Sequence, residues 1–246
     1  MRKQVILFFL GCVATYSNLV FSSISPVAAV RIGSNWTDWG SSQHVSVVDG
    51  FLADRYIADK DIEAKFGTGA LIGAEWATAW SPWRVQAGIS YDYVNQSHLK
   101  GRIWEFGAPY LNDLSYKYKI QHERLDGELK VLRKMGAWYP YVTGALGIAW
   151  NKSRSYTENS DSVTEVPRDP FKNTMHNSFT WSVGLGIERS LGNSLRLGLG
   201  YLYTDAGKAK LDAINTDESL TVDNLSINQA LLQVTYVMCG LCTRRD

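Results

Sequence analysis

The chain has 246 residues, with 25 Lys and Arg against 24 Asp and Glu, which gives a formal net charge of +1. This balance argues against a nucleic-acid-binding protein, which needs a basic excess on one face. Hydrophobic residues make up 45% of the chain and charged residues 20%, so the sequence is not that of a disordered protein. The 21 Gly and the 12% of aromatic residues indicate strands and tight turns rather than helices.

The N-terminus has the organisation of a secretory signal peptide. Two basic residues at positions 2 and 3 precede an apolar stretch that runs to Val20, and Val27 and Ala29 occupy the small-residue positions of a signal-peptidase site. We therefore expect residues 1–29 to be removed and residues 30–238 to form the folded domain. The alternatives are a buried N-terminal helix, a membrane anchor or a lipoprotein signal. Export would place the mature chain beyond the inner membrane.

The folded domain consists of segments that alternate between apolar and polar residues, as β-strands with one apolar face do. In the segment from 178 to 188 the odd positions are Phe, Trp, Val, Leu and Ile, whereas the even positions are Ser, Thr, Gly and Glu. Seven such segments are Ala64–Trp80, Trp83–Tyr93, Leu125–Val131, Val142–Trp150, Asn177–Ser190, Leu195–Tyr203 and Gln229–Met238. Weaker alternation assigns the first strand to Val30–Asp38.

The connections between these segments alternate in length. The short turns are 81–82, 135–137 and 191–193, and the long polar connections are 40–62, 97–114, 157–175 and 209–225. All the long connections therefore lie at one end, as in outer-membrane barrels. The alternative is a water-soluble β-sandwich or lipocalin-like barrel, but its core would then consist of Gly, Ser and charged residues. The sequence predicts an all-β, eight-stranded antiparallel up-and-down transmembrane β-barrel.

Aromatic residues concentrate beside the short turns. They are Trp80, Trp83, Trp138, Tyr139 and Tyr141. Trp and Tyr are enriched where a membrane protein meets the lipid headgroups. We therefore expect these five side chains to form an aromatic girdle on the outer surface.

One segment carries a family resemblance. Tyr139–Ile148, which begins Tyr-Pro-Tyr and contains Gly144 and Gly147, resembles a strand of small outer-membrane barrels of the OmpA, OmpW and opacity-protein type. The segments 179–189 and 195–203 are similar to the two strands that follow it there. The resemblance implies an eight-stranded barrel in the outer membrane of a Gram-negative bacterium. Its OmpW part implies a narrow channel for small apolar ligands as an alternative function.

Six charged residues fall on the inward face near the short turns. Three are acids and three are bases: Glu75, Glu128, Glu188, Arg84, Lys130 and Arg196. An eight-stranded barrel has room inside only for its own side chains, and buried charges persist only when they are paired. We therefore predict one neutral lumen charge network that closes the barrel.

Two further motifs carry weaker indications of chemistry. His176 and Ser178 share a face with Glu188, and a lipid A deacylase family has a similar His-x-Ser pair followed by an acid, so an outer-membrane lipid hydrolase is the weaker alternative function. Glu188 is ten residues from Ser178, about 33 Å along a strand, which argues against a triad. Cys239 and Cys242 form a C-x-x-C pair, for which a small disulfide is favoured over free thiols or metal binding.

The sequence thus favours a non-enzymatic, surface-exposed anchoring or interaction protein with a closed lumen. No catalytic, cofactor-binding or metal-binding residue is assigned, and no cofactor is expected. The expected partners are outer-membrane lipid and lipopolysaccharide, with an extracellular or host ligand bound through the external loops. We expect a monomer that does not bind nucleic acid.

Overall fold

The computed structural model describes residues 24–39, 43–48, 52–59, 64–78, 81–161, 170–214 and 219–238. Within these ranges the chain forms β-strands and one three-residue 3-10 helix, Glu105–Gly107. The strands are β1 Ile24–Asp38, β2 Gln43–Val48, β3 Leu52–Ala58, β4 Ala64–Ala77, β5 Trp83–Trp104, β6 Leu114–Arg133, β7 Trp138–Ser160, β8 Phe171–Lys172, β9 Thr174–Ser190, β10 Leu195–Asp205, β11 Ala209–Ala213, β12 Ser219–Val222 and β13 Ser226–Val237. No helix in the described part of the chain is long and apolar enough to cross a membrane.

Eight long antiparallel strands close into a barrel. Their order around the wall is β1, β4, β5, β6, β7, β9, β10 and β13, and β13 pairs back onto β1. The ring therefore has no open edge, and it confirms the predicted eight-stranded antiparallel topology. The short connections at 78–82, 134–137 and 191–194 lie at the same end as the first residue of β1 and the last residue of β13.

The wall rises far beyond a membrane on one side. Strands β5, β6 and β7 have 22, 20 and 23 residues. At about 3.3 Å per residue and a tilt of about 40°, a strand of the length of β7 rises about 55–60 Å, roughly twice the ~25 Å apolar band of an outer-membrane barrel. The hairpin of β2 and β3 and the small sheet of β8, β11 and β12 belong to this projecting part, which we call the head.

The residue pattern of β6 shows where the lipid-facing surface of the wall ends. Its even-numbered residues are buried along the whole strand. The outward residues change from the polar run 115–123 to the apolar sequence that begins at Leu125 and continues to Val131. The inward residues change in the opposite sense, because Leu114–Ile120 contributes apolar and aromatic side chains, whereas positions 122–130 are polar. The barrel thus has a polar interior within the membrane and an apolar core in the head.

Three sequence-based assignments need correction. The first strand begins at Ile24 rather than Val30, and it pairs with β4 from Ile24 and with β13 from Val27. The connections predicted at 40–62, 97–114, 157–175 and 209–225 contain strand residues, because the wall continues into the head. Tyr139 and Tyr141 are 6% and 8% exposed and point into the lumen, so they do not belong to the outer girdle.

The other three residues predicted for the aromatic girdle are Trp80, Trp83 and Trp138. Trp83 and Trp138 lie on the outer surface beside the short turns, with 42% and 46% of their surfaces exposed. Trp80 and the predicted signal segment up to residue 23 lie outside the described residues, as do Cys239 and Cys242. The cut after Ala29 stays a prediction, and residues 24–29 on its N-terminal side are part of β1.

Candidate functional site

The lumen next to the short turns is filled by five charged side chains, which we call the lower ion cluster: Glu75, Arg84, Lys130, Glu188 and Arg196. Glu75 accepts two hydrogen bonds of 2.7 Å from the guanidinium of Arg196 and one of 2.9 Å from Arg84. The ammonium of Lys130 lies 3.2 Å from one carboxylate oxygen of Glu188, and Arg196 lies 3.7 Å from the other. These contacts join strands that are not neighbours in the ring, β4 with β10 and β6 with β9.

Two tyrosines complete this level. The Arg196 guanidinium lies 4.2 Å from the ring centroid of Tyr139, and the Lys130 ammonium lies 4.4 Å from that of Tyr141. A cation over an aromatic face is attracted by the ring quadrupole, most strongly when water is excluded. The inward position of these two rings thus follows from the cations that they cover.

A second group of charges, which we call the central ion cluster, lies farther up the lumen: Arg31, Asp92, Arg124, Asp126 and Glu128. Arg31 lies 2.9 Å from both Asp92 and Glu128. Arg124 lies 3.1 Å from Asp92 and 3.2 Å from Asp126. All five side chains are nearly inaccessible to solvent.

Neutral side chains accept the remaining hydrogen bonds of the Arg124 guanidinium. Its guanidinium donates to Ser182 at 2.7 Å and to Gln229 at 3.1 Å, and it also contacts Thr204. Gln229 in turn donates to Asn35. These contacts reach β1, β9, β10 and β13, so one arginine on β6 joins the far wall of the barrel.

The charges of the two clusters compensate one another. The lower ion cluster has two acids and three bases, and the central ion cluster has three acids and two bases. Glu128 and Lys130 are neighbours on the inward face of β6 and interact electrostatically, so they connect the two levels. Together the ten groups are formally neutral, as buried charges must be for a tolerable desolvation cost.

Inward glycines provide the space for these side chains. A Cβ on Gly69 would overlap the Asp92 carboxylate and lie 2.9 Å from Nε of Arg31. A Cβ on Gly198 would lie 2.8 Å from Cγ of Glu188. In both places the absence of a side chain lets the acid on the adjacent strand lie over the glycine.

The head closes the lumen above the charges. Buried aromatic residues fill it, and we call five of them the aromatic cap: Tyr56, Tyr116, Tyr118, Tyr156 and Phe171. Ring centroids are 4.9 Å apart for Tyr156 and Phe171 and 5.2 Å apart for Tyr56 and Tyr116, both in edge-on geometry. Two voids in this region measure about 10 Å³ each, close to the space that one water molecule needs.

The structure brings five of the six predicted network residues together. The exception is Glu128, which lies one level higher and pairs with Arg31 rather than with the charges beside the turns. Sequence analysis missed the central ion cluster because it considered only charges near the short turns. The alternating pattern places Arg31, Asp92 and Arg124 on the inward face, which was a usable signal, since Arg31 and Asp92 lie between outward apolar residues and Arg124 precedes Leu125.

The structure does not assemble the His-x-Ser motif with an acid. Ser178 Oγ donates to the carbonyl of Lys208 and accepts from its amide, both at 3.1 Å. Glu188 lies at the other end of the same strand, bound to Lys130 and to Gln233. Burial, with a contribution from Lys210, lowers the pKa of His176. Among the described residues no cluster of His, Cys, Asp and Glu is arranged for a metal ion.

Comparison with known proteins identifies the family. The sequence profile described as "Outer membrane protein beta-barrel domain" matches residues 17–236. The chain belongs to this family. The protein is therefore a β-barrel of the bacterial outer membrane. No curated protein sequence matches this chain.

Solved structures of small outer-membrane proteins are similar to this barrel. OprG of Pseudomonas aeruginosa has 15% identity and a TM-score of 0.46, with 88% of this chain and 97% of that chain covered. Neisserial surface protein A has 10% identity and a TM-score of 0.43, with 87% and 98% covered. Ail, the attachment invasion locus protein of Yersinia pestis, has 12% identity and a TM-score of 0.35, with 87% and 99% covered.

Proposed function

We propose that this outer-membrane barrel is a closed-lumen surface protein, whose membrane part anchors a rigid head for interactions outside the cell. The observation that carries the proposal is the filling of the lumen at three successive levels by the lower ion cluster, the central ion cluster and the aromatic cap. A solute crossing the barrel would have to break buried ion pairs and displace packed rings. The predicted narrow channel is the competing function.

The construction of the head supports an interaction role. An anchor needs only enough wall to cross the lipid, yet β5, β6 and β7 continue well beyond it and enclose an apolar core of their own. That core fixes the head as an extension of the wall, so the surface it presents is rigid. Rigid presentation reduces the entropy lost on binding.

Planar-bilayer recordings test the closed lumen. The wild type should show no steady conductance, because every described level of the lumen is occupied. Arg196→Ala should produce leak openings, since it removes two hydrogen bonds to Glu75 and the cation over Tyr139. Arg102→Ala is the matched control, because it breaks an exposed ion pair with Asp161 outside the lumen. A large, steady wild-type conductance that Arg196→Ala leaves unchanged would refute the closed lumen and favour the channel.

A further inference from the structure

The outer wall of the head is strongly basic along β5, β6 and β7. Six cations point outward there: Lys100, Arg102, Lys117, Lys119, Lys152 and Arg154. Two of them have acidic partners, since Arg102 lies 3.0 Å from Asp161 and Lys152 lies 2.6 Å from Glu123. The other four, which we call the basic quartet, form no ion pair with any described acid: Lys100, Lys117, Lys119 and Arg154.

The quartet consists of two like-charge pairs placed directly across from each other. Lys100 is the register partner of Lys117 on the neighbouring strand, and Lys119 is the register partner of Arg154. Directly opposed residues have Cβ atoms about 4.5–5.5 Å apart, and like charges in such pairs are destabilising. The nearest strand on the other side contributes Asp59, whose amide bonds the carbonyl of Lys100 without an ion pair. The arrangement has an electrostatic cost that a bound anion would remove.

The height of the quartet identifies the source of that anion. Arg154 lies four residues beyond Trp150, which marks the upper edge of the apolar surface on β7. Four residues correspond to about 10 Å above the hydrocarbon at the strand rise and tilt of such barrels. Lys and Arg side chains can also extend along the wall toward the membrane. Arg154 and its register partner Lys119 therefore stand near the level of the phosphorylated lipid headgroups. Lys100 and Lys117 lie about 5 Å higher, two residues farther along the wall, within reach of the same headgroups for long side chains.

We propose that the basic quartet binds the phosphate groups of lipopolysaccharide in the outer leaflet. This glycolipid carries phosphates on its glucosamine backbone, and charge-assisted hydrogen bonds from Lys and Arg suit such groups. The inference uses the outward orientation of the head that the proposed function also uses. Binding of lipopolysaccharide does not depend on whether the lumen is closed, so an experiment can refute the binding site and the closed lumen separately.

The test compares bisphosphorylated with monophosphoryl lipid A, using the purified full-length barrel in uncharged detergent. The wild type should bind the bisphosphorylated form more tightly. The quadruple variant K100Q/K117Q/K119Q/R154Q should bind it at least about tenfold more weakly than the wild type. The control variant R102Q/K208Q neutralises two exposed cations that already have acidic partners, and its affinity should stay within about twofold of the wild type.

Thermal unfolding separates recognition from a structural role. Without lipid A the quadruple variant should unfold at the wild-type temperature or above it, because the substitutions remove repulsion. With lipid A the wild type should gain more stability than the variant. Equal binding of both lipid A forms, or equal losses in the quartet and control variants, would overturn the proposal. Tighter binding of a soluble sulfated polysaccharide than of lipid A would overturn the lipid assignment.

Discussion

Glu75 connects the two arginines of the lower ion cluster, so its replacement tests the internal network directly. The side chain is 1% exposed and accepts hydrogen bonds of 2.7, 2.7 and 2.9 Å from Arg196 and Arg84. Glu75→Gln keeps the size of the side chain and removes its charge. Arg196 would then be a buried cation whose nearest acid is Glu188, at 3.7 Å.

The expected loss of unfolding free energy follows from these contacts. Breaking one partner of a buried ion pair costs ~3–5 kcal/mol because the other charge stays buried. Two features place Glu75→Gln near the lower limit. Arg84 is 30% exposed and can turn to solvent, and Glu188 offsets part of the charge on Arg196. We expect a loss of about 3 kcal/mol.

Urea unfolding in phospholipid vesicles, followed by tryptophan fluorescence, measures this loss. Asp161→Asn is the matched control, because it breaks an exposed ion pair with Arg102 and should cost less than about 1 kcal/mol. Adding Arg196→Gln to Glu75→Gln should restore part of the stability, which a double-mutant cycle records as coupling. A cost below about 1 kcal/mol for Glu75→Gln would show that water hydrates the cluster, and it would refute the reasoning.

Three further predictions concern the wall, the N-terminus and the head. Leu185→Arg should cost ~2–4 kcal/mol in the same vesicles because its side chain faces lipid, whereas Asn177→Arg, on the same strand face at the upper edge of the apolar surface, should cost less than about 1 kcal/mol; equal costs would contradict the assigned membrane level. Residues Ile24–Ala29 pair with β4, and Val27–Ala29 also pair with β13, so we expect the mature protein to retain them, contrary to the cut after Ala29 that the sequence predicts. N-terminal sequencing that begins at residue 30 would support that cut and disprove this expectation. Burial raises the pKa of Tyr118 well above 10, so folding favours its protonated form; the stability of the head should be fully present below pH ~10 and fall above it. The phenolate absorbance that the wild type shows and Tyr118→Phe lacks should then appear together with the loss of head structure, and its appearance in an intact head would count against burial.

Local strand geometry explains why so much of the barrel was predictable. Side chains alternate with a period of two wherever the backbone is extended, so the sequence alone placed Glu188 and Arg196 on the inward face and Leu185 on the lipid face. The alternation of short and long connections then required antiparallel neighbours with all the turns at one end. Neither inference needs knowledge of distant contacts.

Ion partners, by contrast, depend on register across the whole ring. Glu75 and Arg196 are 121 positions apart, and Arg31 and Glu128 are 97 apart. Parity places each of them inside the barrel, but their heights depend on how every strand is shifted against the next. That shift accumulates around the closed ring, so the separate central ion cluster emerged only in the tertiary structure.

The head was missed for a different physical reason. On β6 the apolar residues occupy even positions from Leu114 to Ile120 and odd positions from Leu125 to Val131, while the same face of the strand points inward throughout. A sequence shows this change only as a broken pattern, and the polar residues Lys117 and Lys119 resemble those of a loop. The tertiary structure explains this change of pattern, because the strand continues while the surroundings of the wall change from lipid to water. Above the membrane, apolar side chains are therefore found on the inward face, in the core of the head, instead of on the outer face.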